Sequence, residues 1–171
     1  MKKWRQDELD YFQFEHDRDR LSANILMTAG LVKNQMMEWL APFDLTLAQY
    51  QALQILNLQN GKAISTLHLR ERMLDKMSDT PKIVDRLLKK GLVQKNTSKA
   101  DRRLVDICIN SAGVHLLEKI RVNQALGPET SSSLTQKDVE ALNSLLCKIR
   151  LAPPKKNAKA KAILTFCPTP I

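Results

Sequence analysis

The chain is predicted to be mostly α with one small β wing, and three observations carry that expectation. Apolar residues recur at helical spacing along most of its 171 residues, only five glycines interrupt them, and the short segment Val105 to Ile109 alternates with period two. With 43% hydrophobic residues the chain can bury one real core, and a single domain is the natural expectation.

The first helix is expected from about Asp7 to Leu40, with an apolar stripe of Phe12, Ile25, Met27, Leu31, Val32, Met36 and Trp39. At 1.5 Å per residue it would run roughly 45 Å, more than a small domain is wide. Part of it must lie against something else, and a second subunit is the simplest candidate. Its charged early part, Glu15 to Arg20, fits a solvated overhang equally well. Pro42 and Phe43 break this helix. A second helix covers about Leu47 to Leu58, and Asn60-Gly61 stops it. Ser65 is placed to cap a third, with Leu69 and Met73 one turn apart on its buried side. After a break near Leu74-Asp75, a fourth helix ends at Lys89-Lys90-Gly91, where cations suit the negative helix end and glycine takes the left-handed cap. Two short helices about a tight turn form a helix-turn-helix unit.

Leu92 to Lys95 reads as a strand, Asn96 to Arg103 as a basic loop, and Leu104 to Ile109 as a second strand in which Val105, Ile107 and Ile109 alternate with Asp106 and Cys108. That hairpin, directly after the helix-turn-helix, is a wing. Ser111 is expected to cap a helix from about Ala112 to Leu126 carrying Leu116, Leu117 and Ile120. Thr135 and Asp138 form an acidic cap box before the helix Val139 to Leu151, whose stripe is Leu142, Leu145, Leu146 and Ile149. Pro153-Pro154 ends the fold, leaving residues 152–171 as a basic tail expected to be disordered.

Lys and Arg outnumber Asp and Glu by 27 to 18, a net +9. The excess is concentrated: residues 62–103 hold 12 basic groups against five acidic, whereas residues 1–61 hold six against eight and residues 104–151 balance. A basic segment centred on the helix-turn-helix and wing points to a binding face for a polyanionic partner, nucleic acid or an anionic membrane surface, and charge by itself does not choose between them. Cys108, Cys147 and Cys167 are odd in number and far apart, and His16, His68 and His115 have no ligand spacing, so no disulfide framework, metal or cofactor is expected. No apolar run approaches the roughly 18 residues of a membrane span. Met1 to Glu8 turns polar at once, unlike an apolar leader, so a cytoplasmic protein is expected. No phosphate-binding glycine loop or nucleophile elbow suggests an enzyme.

The stretch Ile83-Val84-Asp85-Arg86-Leu87-Leu88-Lys89-Lys90-Gly91-Leu92-Val93, followed by Asp101-Arg102-Arg103 and Val105 to Ile109, resembles the signature of the MarR family. In that family a recognition helix ends in a D-R-L-x-x-K-G-L/W-V pattern and a D-x-R wing follows; Asp101 and Arg103 stand at the D-x-R positions. The likeness runs in order from about residue 8 to 151. It implies a dimer whose outer helices intertwine, with residues 1–45 and 111–151 as dimerisation helices and 46–110 as the DNA-binding lobe of a domain spanning 1–151. It further implies a transcriptional regulator, a repressor more often than an activator, whose DNA affinity falls when a small molecule or oxidant alters the lobes. Two features depart from the pattern: the tail beyond Pro153, and Pro81 within the recognition helix. If Ser78 is the N-cap, the missing N–H of Pro81 costs nothing; if the helix starts at Asp75, Pro81 kinks it. A short or kinked start is expected.

In that helix Ile83, Val84, Leu87 and Leu88 are expected to face the core, leaving Ser78, Asp79, Thr80, Lys82, Asp85, Arg86 and Lys89 outside. Ser78 and Thr80 are short donors for base edges in a major groove, and Lys82 and Arg86 reach a base or a neighbouring phosphate. Asp85 repels phosphate and is expected to pair with Arg86, Lys89 or another part of the domain. Arg102 or Arg103 enters a minor groove; the resemblance favours Arg103, oriented by Asp101. Lys95 and Lys99 are expected on phosphates, and Thr66 on the backbone. Family members bind small, often aromatic molecules between dimer base and lobe, and Met36, Trp39, Phe43 and Tyr50 fall where the first two helices would line such a site, although residues of this kind more often form plain core. The competing expectations are a winged-helix protein-protein adaptor, which has no need of such a cationic face, and a non-specific nucleoid-associated DNA-binding protein.

Overall fold

The structure, a computed structural model, describes residues 14–97, 105–123 and 133–151. The chain divides into two compact units, one ending at Thr130 and the other starting at Ser131.

The first unit opens with α1 (Asp17–Leu40). Its start lies later than the expected Asp7: Phe14 to His16 are not helical, and Asp7 to Gln13 fall outside the described residues. The 24 residues still span about 36 Å. Pro42 lies in a single 3₁₀ turn (Ala41–Phe43), which Asp44 leaves in the left-handed conformation with φ 51°. Next, α2 (Leu47–Asn57) starts at a reciprocal cap: the Gln49 N–H donates to Thr46 Oγ1 at 3.3 Å, and the Thr46 N–H donates to Gln49 Oε1 at 3.1 Å.

A strand absent from the sequence reading, β1 (Ile64–Ser65), precedes α3 (Thr66–Arg72). Two residues are too few to display a period. Ser65 caps α3 as expected, accepting from the His68 N–H at 3.2 Å. After α4 (Thr80–Lys89) come β2 (Val93–Thr97) and β3 (Val105–Ile109). The sheet is antiparallel in the order β1-β3-β2, with Ile64 opposite Ile107 and Val93 opposite Ile109. Ile107 and Ile109 are buried while Asp106 and Cys108 are half-buried, which is the alternation expected of β3.

Leu40, Leu53, Leu56, Leu69, Val84, Leu87, Ile107 and Ile120 are fully buried, so all of α1 to α4, the sheet and the following helix contribute to one core. Each such side chain contributes about 1.5–3 kcal/mol of burial free energy. The last helix of the unit, α5 (Ser111–Val122), is capped by Asn110 rather than by Ser111. The Asn110 carboxamide serves two elements: its oxygen accepts from the Gly113 N–H at 3.0 Å, and its nitrogen donates to the Gly91 carbonyl at 2.8 Å. Serine has no second arm for the latter contact.

The second unit holds α6 (Gln136–Leu151). Its expected cap box is present: the Thr135 N–H and Oγ1 donate to Asp138 Oδ2 at 2.9 and 2.6 Å, and the Asp138 N–H donates to Thr135 Oγ1 at 3.3 Å. These bonds lower the Asp138 pKa. The cap is therefore complete above the ordinary carboxylate range and is lost in acid.

At Gly113, in the first turn of α5, the packing leaves no room for a side chain. A Cβ on Gly113 would lie 2.3 Å from the Leu92 carbonyl oxygen and 2.7 Å from Ile109 Cγ1. Alanine normally improves a helix interior by up to about 1 kcal/mol over glycine, but here it meets backbone. Gly113→Ala is expected to destabilise the fold by about 1–3 kcal/mol through overpacking, seen as a lowered urea midpoint; an unchanged or raised midpoint would mean that the helix moves aside freely.

Candidate nucleic-acid interface

Helix α4 is strongly two-sided. Val84 and Leu87 are buried and Ile83 and Leu88 half-buried, whereas Lys82, Asp85, Arg86 and Lys89 are exposed. The inward face anchors the helix, so its cationic outward face has a defined direction.

Its start differs from both sequence alternatives in detail. Asp79 is the N-cap, accepting from the Lys82 N–H at 3.3 Å, and Pro81 sits in the first turn, where a missing N–H leaves no carbonyl unpaired. The start is short, and no kink is needed. Consequently seven residues, Met73 to Asp79, separate α3 from α4, a longer connection than the tight turn expected. Within it the Met77 N–H donates to Asp75 Oδ1 at 2.9 Å and the Ser78 N–H to the Asp75 carbonyl at 3.2 Å.

One expected contact residue is corrected by this geometry. Thr80 is only 1% exposed, and its Oγ1 lies 3.4 Å from the Ser78 carbonyl. As the first residue of a helix capped at Asp79, it turns inward with the core, so it presents no donor to a ligand outside. Ser78 is half-buried and is not the cap.

The far end of α4 is closed by two bonds. The Gly91 N–H donates to the Leu88 carbonyl at 2.9 Å and the Leu92 N–H to the Leu87 carbonyl at 3.0 Å, with Gly91 at φ 66°. This Schellman arrangement satisfies carbonyls that a helix end leaves open, and it requires the left-handed backbone that glycine adopts without strain. The same turn aims β2 back along the lobe.

Asp85 does pair with another part of the domain: its Oδ1 lies 3.9 Å from Lys95 Nζ on β2. Both groups are about half exposed, so the pair directs side chains more than it stabilises them. Lys95 stays exposed on the hairpin and Thr66 is half-buried in the first turn of α3. Lys99, Asp101, Arg102 and Arg103 lie outside the described residues. The sequence reading assigned no nucleic-acid contact to Lys33, Lys89 or Lys90, although it placed Lys89 and Lys90 at the end of the helix and Lys89 on its outer side. Lys90 Nζ pairs with Asp44 Oδ2 at 2.7 Å and also donates to the Asp44 carbonyl, tying the end of α4 to the turn after α1.

Of the four residues expected around a ligand, Met36, Trp39 and Phe43 pack against the core, and Trp39 stands edge-on to the buried Tyr50 with ring centroids 5.5 Å apart. Tyr50 lines a cavity of about 480 Å³ together with Gln54, Leu58, Arg72, Leu117 and Arg121. Its hydroxyl accepts from Gln54 Nε2 at 2.8 Å, and burial raises its pKa against the lowering effect of that bond.

A helix-turn-helix followed by an antiparallel hairpin, both seated on one core, defines a winged helix-turn-helix protein. Comparisons with known proteins name its family. IacR of Pseudomonas putida, an HTH-type transcriptional repressor, is 30% identical over 118 residues, covering 68% of this chain and 70% of IacR. The multiple antibiotic resistance protein MarR of Escherichia coli strain K12 is 28% identical over 114 residues, 66% of this chain and 78% of MarR. A crystal structure of a mutant E. coli MarR complexed with operator DNA matches with a TM-score of 0.69 at 26% identity, covering 76% of this chain and 93% of that one. Sco5413, a MarR family regulator from Streptomyces coelicolor, matches in fold with a TM-score of 0.70 at 18% identity, over 78% of this chain and 93% of its own. No family model matches the chain. On the relatives and the shared architecture, the chain belongs to the MarR family of transcriptional regulators.

Because the Asp79 side chain caps α4, Asp79→Ala is expected to cost about 1 kcal/mol, while Asp79→Asn, which keeps the accepting oxygen, should retain most of the stability. Equal losses in the two variants, measured by chemical denaturation, would remove the cap from the account of how α4 starts.

Proposed function

We propose that the protein is a homodimeric, sequence-specific double-stranded DNA-binding repressor that sets α4 in a major groove and the hairpin loop in an adjacent minor groove. The observation that carries this reading is the outward face of α4, where Lys82 and Arg86 stand one turn apart on a helix whose other face is locked into the core. A rigid helix with exposed cations is what base and phosphate contacts require. The likeness to a MarR crystallised with operator DNA and to a protein named as a repressor supports the same partner and direction of control.

Dimerisation through 1–45 and 111–151 is supported by apolar side chains that the single chain leaves uncovered. Leu142, Leu145 and Ile149 on α6 are 46%, 56% and 48% exposed, and Leu26 on α1 is 74% exposed. Residues at this spacing form a stripe that a second copy would bury. Two-fold symmetry then calls for a pseudo-palindromic operator with half-sites about one helical turn, roughly 10 bp, apart. The Tyr50 cavity is our proposed seat for a small aromatic effector, since Arg72 and Arg121 in its lining offer charge to an acid and Leu58 and Leu117 offer apolar contact. The exposed cations of α4 argue against a protein-protein adaptor; confinement of binding to a few promoters separates a regulator from a nucleoid protein.

With an operator selected from a random duplex pool, Lys82→Ala is expected to weaken operator binding about tenfold, and random duplex by much less, as loss of a base contact does. Arg103→Ala should weaken binding by a similar factor through the wing. Gel-shift titrations read both: equal losses on the two duplexes would make Lys82 a phosphate contact, and an unchanged Arg103→Ala would take the wing out of the mechanism.

A further inference from the structure

We propose that the protein grips the DNA backbone at a second place, where Lys33 of α1 meets Arg86 and Lys89 of α4 around the mouth of one concavity. The inference rests on the DNA-binding reading above and extends it to a helix that neither the recognition helix nor the wing includes.

The concavity measures about 800 Å³ and lies where α1, the start of α2 and the second half of α4 meet. Its deep wall holds the buried Leu45 and Gln49, and the Gln49 side chain is already engaged with the Thr46 N–H. Its cations are arranged differently. Lys33, Arg86 and Lys89 are all exposed, so they stand at the rim. The fourth, Lys90, is the one that the lining carboxylate neutralises, through its pair with Asp44. No ion pair to Lys33, Arg86 or Lys89 is formed among the described residues, whereas the neighbouring Lys95 has Asp85. Three positive charges therefore border one mouth whose lining carboxylate, Asp44, is engaged with Lys90, an arrangement that favours the arrival of an anion.

The placement of charge selects the kind of anion. A small acid seated inside would want its partner on the floor, and the floor is apolar or already bonded. A polyanion lying across the opening meets all three cations at once. Arg86 and Lys89, three residues apart, share the side of α4 that borders the opening. With α4 in the major groove, that side faces the flanking phosphates, and Lys33 extends the contact by one element toward α1. Such contacts add affinity without sequence preference.

The test is fluorescence anisotropy with the full chain, the selected operator and a random duplex, across a range of salt concentrations. For Lys33→Gln combined with Lys89→Gln, the slope of log affinity against log salt is expected to become shallower by about two, since each phosphate contact contributes about 0.9. Both duplexes should lose affinity by the same factor, on the order of tenfold or more. Lys33→Glu alone should weaken binding further than Lys33→Gln. A control pair, Lys137→Gln with Lys148→Gln on α6, removes the same charge elsewhere and should leave the slope in place. An unchanged slope in the Lys33/Lys89 variant, a loss confined to the operator, or an equal effect in the control would each overturn the proposal. So would a variant that loses binding to benzoate, used as a probe acid, while keeping its salt slope. A wild-type chain that binds no duplex even in dilute salt would instead defeat the DNA-binding reading itself.

Discussion

The lobe depends on how α4 is held. Val84 and Leu87 sink one face into a core shared with α2, α3, β3 and α5, and the end of the helix is closed by the Gly91 turn. That turn is a junction as well as a stop. Leu92 and Val93, immediately after it, are buried and begin the hairpin, while the Gly91 carbonyl receives the Asn110 side chain from the start of α5. Removing the left-handed glycine would therefore disturb the exit of α4, the direction of β2 and the seating of α5 together. Recognition helix and hairpin are aimed by one local backbone conformation.

The same economy appears in the charges. Three acidic residues in or beside the basic segment each have a defined place. Asp79 caps α4, Asp85 pairs with Lys95 and Asp44 with Lys90. Each holds a piece of chain in place, and among the described residues Lys82, Arg86 and Lys89 form no ion pair. Exposed ion pairs contribute little to stability, so their effect lies in deciding which positive charges remain available to a partner. Tying Lys90 to the turn after α1 also links the helix that would read DNA to the long helix that would join two copies.

That linkage gives a physical route for regulation in the proposed dimer. In that proposed dimer, a shift of α1 would carry Asp44 with it and so bear on the end of α4 through Lys90. Affinity for the proposed pair of half-sites would be sensitive to such movement, because both lobes would have to fit one duplex at a set spacing. The Trp39–Tyr50 contact lies on this path, joining α1 to α2 edge-on within the core margin.

Much of this was legible from sequence because it is local. The Ser65 cap, the Thr135–Asp138 box, the Gly91 stop and the alternation through β3 each depend on residues within a few positions of one another, so the pattern carries the structure. The motifs that carry the family resemblance likewise fall close together in the chain, between Ile83 and Ile109. What tertiary structure alone decided are features set by distant partners. Asn110 displaced Ser111 as a cap because it also reaches Gly91, nineteen residues earlier. Strand β1 exists because Ile64 finds Ile107, and Thr80 turns inward because the cap falls at Asp79 and the core lies beneath it. Lys33 and Lys89, 56 positions apart, border one opening only after α1, α2 and α4 have packed. Periodicity reports which face of an element is apolar; it carries no information on which other element that face will meet.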